Sequence, residues 1–115
     1  MNIHEVRLLP DPSFGIGMQL VRPHPGLQTF VRNFKLHPLT GRKLPAQKSG
    51  KIVVGEELIL VNNVNVSSLD SLNDLVPMIK KYSDEKKILC LTFRHQILIA
   101  MDNNFEDNNY RAFRA

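Results

Sequence analysis

Apolar and polar residues alternate through IHEVRLL, setting Ile3, Glu5 and Arg7 against His4, Val6 and Leu8. That two-residue period predicts a half-buried strand. PDPS interrupts it, and FGIGMQLV starts a second strand that carries two glycines, Gly15 and Gly17. Glycine weakens a strand and marks a bulge or the close approach of another backbone. RPHPG reads as a turn with two prolines, and LQTFVRNFKL as a third strand with Phe30 and Phe34 on one side. HPLTGRK is a loop, and LPAQKSG allows one or two helical turns ending at Gly50. EELILVNN is a largely apolar strand running into a turn at Asn62-Asn63, with VNV as a short strand after it.

The clearest helical period lies in DSLNDLVPMIKKY, where Leu72, Leu75, Val76 and Ile79 fall at i, i+3, i+4 and i+7. Asp70 or Ser71 can cap its start, while Lys80 and Lys81 suit the negative end of its dipole. Pro77 lies inside this pattern, so a kink or a late start is expected. ILCLTFR closes the series as a last strand. Strands dominate, which favours a small α+β domain on a curved or barrel-like sheet.

The length of 115 residues suits one domain with a modest core. No apolar run approaches the roughly 20 residues of a membrane span. MNIHEVRLLP lacks the layout of a secretory signal. The single Cys90 cannot form an internal disulfide, so a reducing cytoplasmic setting is expected. Net charge is +4, yet from Arg22 to Gly55 seven basic residues occur without one acidic residue. Such a run suits a solvated face, or contact with phosphates or an anionic membrane. Arg32, Lys35, Arg42 and Lys43 are the candidates for anion or lipid contact. Tryptophan is absent and aromatics are few, so the stacking surfaces of nucleic-acid binders are not evident.

Catalytic chemistry is not expected. His4, His24, His37 and His95 lack metal-ligand spacing. No serine sits in a Gly-x-Ser-x-Gly elbow, and no phosphate loop is present. Cys90 alternates within ILCLTF and reads as a small core residue. Glu56 and Glu57 are adjacent and so point to opposite faces if extended. The expectation is a non-enzyme with neither cofactor nor metal.

From about Ile3 to His95 the chain resembles a PDZ domain. SFGI fits the carboxylate-binding loop, LPAQKSGKIVVGEELILVNNVNV the family's middle block, SLNDLVPMIK its second helix and ILCLTFR its closing strand. The resemblance implies a partly open barrel or sandwich of about six strands with two helices, over residues 1–95. Residues 96–115 form an extension outside the match. The stretch from Phe34 to Leu44 is longer than the family's usual link, and Pro77 departs from its groove helix.

The resemblance also implies a function. A partner's C-terminal tail would add as a strand beside the second strand, its carboxylate held by the N–H groups of Phe14, Gly15 and Ile16. Gly17 would be a packing accommodation. Phe14, Ile16 and Met18 would share a face, with Val76 and Ile79 closing a pocket for an apolar last residue; the core alone would also call for these five. Leu72 would take the selective helix position, giving ligands that end apolar-x-apolar; the competing register would place Ser71 there but bury Asp74 without a partner. The chain's own YRAFRA, with Phe113 and Ala115, could occupy its own groove or a neighbour's. QILIAM would extend the last strand or pack on the body. This adaptor reading requires that the three N–H donors be free and that a hollow lie beside them. Two other readings are a domain contacting membrane lipids through the basic run, at the membrane periphery, and a regulatory domain of a larger protease.

Overall fold

Two of the expected strands pair along their whole length in the computed structural model, which describes residues 2–23, 26–95 and 110–114. β1 (Ile3–Leu8) lies antiparallel to β6 (Leu89–Arg94), with Ile3 opposite Arg94 and Leu8 opposite Leu89. The period of two decides what each buries. Val6 and Leu8 point inward from β1, and Leu89, Leu91 and Phe93 from β6. Cys90 therefore lies on the other face, half-buried, instead of in the core where its apolar neighbours suggested.

β2 (Met18–Pro23), β3 (Phe30–Phe34), β4 (Glu57–Val61) and β5 (Val64–Asn65) follow, with β7 (Tyr110–Arg114) at the far end of the chain. The order is β1-β6-β4-β3-β2-β7, with β5 folded back onto β4. Every pairing is antiparallel, and the sheet is not closed. The turn at Asn62-Asn63 is where expected, both residues having positive φ (50° and 68°), as a tight hairpin turn demands. Residues 24 and 25 of the RPHPG turn, and all of QILIAM, lie outside the described residues.

Two helices complete the α+β fold. α1 (Pro45–Lys48) opens with proline at its first position and closes through Ser49 before Gly50. α2 (Leu75–Asp84) starts late, after a 3-10 turn at Leu72–Asp74 whose Asn73 N–H donates to Ser71 Oγ. Pro77 is the reason. At the third helical position its missing N–H would have had no partner in the helix anyway, so no kink is needed. Leu72, Leu75 and Ile79 enter the same core cluster as Ile16, Met18, Leu20 and Phe93.

Arg22 was counted with the basic run, but it is structural. Its Nη1 donates to Leu69 O and its Nη2 to Val66 O, both at 2.9 Å, tying β2 to the segment that leads into α2. Burial draws its pKa below the ordinary arginine value, without approaching neutrality. Replacing it leaves two carbonyls without this donor. Arg22→Met is expected to cost about 2 kcal/mol, read as a lower urea midpoint at unchanged m-value.

Candidate functional site

The outer edge of β2 is the part of the sheet nearest the predicted site. One side of β2 pairs with β3, with a bulge between Gln19 and Leu20. The other side takes β7, with Gln19 opposite Arg114 and Pro23 opposite Tyr110. A strand from the chain's own extension thus lies where an added peptide was expected. Its antiparallel course runs toward the loop of residues 11–17.

That loop is folded on Asp11. Its Oδ1 accepts from Ser13 N (2.9 Å) and Phe14 N (3.0 Å). Its backbone N–H donates to Gly15 O at 2.8 Å, and its carbonyl accepts from Gly15 N at 3.2 Å. Ser83 Oγ on α2 donates to that same carbonyl at 3.0 Å. Two of the three donors assigned to a ligand carboxylate, on Phe14 and Gly15, are therefore spent inside the loop. The FGIG segment also lies outside β2, because Gly15 (φ 67°) and Gly17 (φ 77°) take left-handed angles that a strand cannot use.

Gly17 is a packing accommodation, as expected. A Cβ there would lie 2.5 Å from Leu44 Cβ and 2.9 Å from Lys35 O. Its carbonyl accepts from Lys35 N at 2.8 Å, which docks the long 34–44 segment against the loop. That segment is itself ordered by hydrogen bonds between His37 and Arg42 and between Gly41 and His37. The His37 ring packs edge-on against Phe14, with centroids 4.6 Å apart, and its Nε2 lies 4.0 Å from Asp11 Oδ2.

Beside the loop is a hollow of about 280 Å³. Phe14 and Gly15 line it on one side, and Val76, Ile79 and Lys80 on the helix side; Lys35 and Leu36 come from the long segment. The structure thus gathers Phe14, Gly15, Val76, Ile79 and Lys35 around one space. Ile16, Met18 and Leu72 are not among its lining residues, and they are buried in the core. Leu72 was expected at the selective position; the late start of α2 places it in the 3-10 turn, where it packs inward. Val76 was expected to share the buried face and is 47% exposed at the mouth instead. Arg42 and Lys43 border a neighbouring hollow with His37, Thr40 and Lys48, whereas Arg32 lines neither. Ala115 lies outside the described residues.

Asp11 and Ser83 were missed at the sequence level. PDPS did carry a signal for the first, since an Asp two residues before a Ser favours a side-chain-capped turn. Nothing local marks Ser83. Glu56 was dismissed as one of a pair, yet it is buried, accepts from Val53 N at 2.7 Å, and lies 3.5 Å from His4 Nδ1 and 3.8 Å from His95 Nδ1. It ties the ends of β1 and β6 to the turn before β4. Among the described residues no three His, Cys, Asp or Glu side chains are grouped to hold a metal ion, and no helix is long and apolar enough to cross a membrane.

No family model matches the chain, and no curated protein matches it as a relative.

Two outcomes test this geometry. Gly17→Ala adds backbone strain to a clash with Leu44 and should lower stability by about 2 kcal/mol or more, measured by urea unfolding. Burial pushes the Cys90 thiol up, and its hydrogen bond to Glu5 adds to the shift. Iodoacetamide at pH 8.5 should alkylate native Cys90 several-fold more slowly than the urea-unfolded chain; equal rates would contradict the shift.

Proposed function

We propose that this chain is a non-catalytic peptide-binding module that shares strand addition with the PDZ type but not its carboxylate clasp, since the Phe14 and Gly15 donors that clasp requires are spent on Asp11. It takes an extended segment of a partner protein as an added strand on the outer edge of β2, and so tethers that partner. The observation that supports this is the pairing of β7 along Gln19–Pro23. An unpaired edge offers a row of main-chain donors and acceptors to any extended chain that reaches it. The hollow lined by Phe14, Val76 and Ile79 supplies side-chain selection, favouring an apolar residue. With Leu72 in the core, selection rests on these three. Such contacts are reversible, on the order of micromolar or about −8 kcal/mol, and the chain's own β7 competes for the edge.

A second reading is contact with an anionic lipid surface. Arg42, Lys43 and Lys48 around one hollow, which Asp11 also lines, favour it. Salt separates the two, because surface charge contacts are screened within about 8 Å at physiological ionic strength while main-chain pairing is not.

The test displaces β7 within the full chain. Successive strand N–H groups point to opposite sides, so replacing both Ala112 and Phe113 by proline removes whichever one faces β2. Random displayed peptides selected on this variant should bind it at least tenfold more tightly than the parent chain and slow amide exchange in β2. Recovery of no ligand, or protection confined to another surface, would overturn the proposal.

A further inference from the structure

Binding a free C-terminus through a loop needs successive N–H groups that are unspent and aimed at one point. Around Gly15 the chain supplies its own acceptor. Asp11 Oδ1 receives the N–H of Phe14 together with that of Ser13, and the Asp11 carbonyl receives that of Gly15. We propose that the edge of β2 takes internal, extended segments of a partner and not free C-termini, with Asp11 standing in for the ligand carboxylate. This inference rests on the strand-addition reading above and names the class of ligand.

Three further observations agree. Asp11 lines the hollow, so an incoming carboxylate would meet a like charge nearby. No lysine or arginine occurs from Leu9 to Gly17, and the side chain facing the Asp11 carboxylate is the His37 ring, its Nε2 4.0 Å from Oδ2. The cations lining the hollow are Lys35 and Lys80, and Lys80 faces Asp84 at 3.7 Å. Next, the loop is held from two sides, by Ser83 Oγ on the Asp11 carbonyl and by His37 packed on Phe14. Freeing the donors would mean leaving these contacts as well as the Asp11 turn. Finally, β7 pairs with Gln19–Pro23 and with none of residues 11–17. Over its described residues, strand addition here is made without the loop's donors.

The experiment uses the full chain carrying Ala112→Pro and Phe113→Pro. The probe is the N-acetylated peptide of sequence YRAFRA in three forms: free acid, C-terminal amide, and followed by four Gly/Ser residues. Calorimetry is expected to give affinities within about twofold of one another. A carboxylate-anchored mode would slide the peptide toward the loop, and the free acid would then bind at least tenfold more tightly than the amide. That result would overturn the inference and leave strand addition standing. If none of the three binds, strand addition falls and the inference with it. Asp11→Ala in the same background should tighten the free acid alone, by about tenfold; no gain would overturn the role given to Asp11. Asp11→Asn, which keeps the acceptor oxygen and removes the charge, serves where Asp11→Ala does not fold and should give a smaller gain in the same direction.

Discussion

Each main-chain N–H and carbonyl needs a partner, and how that demand is met along one short path, residues 11–23, shapes the candidate site. The first half of the path cannot form a strand, because Gly15 and Gly17 hold left-handed angles. The N–H groups of Ser13, Phe14 and Gly15 go to Asp11. The second half is a strand whose inner edge is met by β3 and whose outer edge is met by β7. How those two sets of groups are satisfied decides what can bind beside them.

The rest of the site follows from keeping this path in place. Arg22 fixes the far end of β2 to the segment before α2, and Ser83 fixes α2 to the loop. The long 34–44 segment then closes against Gly17 and Phe14, possible only because residue 17 has no side chain. The hollow is what these three attachments leave between them. Of its apolar lining, Ile79 belongs to the core cluster, while Phe14 and Leu36 come from the loop and the long segment and Val76 is half exposed. Pocket and core cluster are linked through one side chain, Ile79.

Much of the architecture was legible from periodicity. β1 and β6 alternate in sequence and therefore bury Val6, Leu8, Leu89, Leu91 and Phe93. The Asn62-Asn63 turn and the late start of α2 at Pro77 follow from backbone preferences that act within a few residues. The candidate site was legible in part. Phe14, Gly15, Val76 and Ile79 do meet around one hollow, but Leu72 and Met18 turn inward. A helical wheel drawn from Leu72 assumes a helix that has already begun, and Pro77 postpones it. The acceptors that occupy the Phe14 and Gly15 donors could not be read from the glycine pattern, because that pattern specifies backbone angles and not partners.

By itself the sequence determined the kind and order of the elements from β1 to β6, the alternating faces of the strands and the places where the chain must turn. These depend on neighbours within a few positions, where periodicity and φ preference are enough. Only the tertiary structure decided that Asp11 would be bridged to Ser83, 72 residues away, and that residues 110–114 would lie on β2. Both are long-range matches between groups that any of several distant segments could have satisfied. Which one does so is settled by the packing that brings them together.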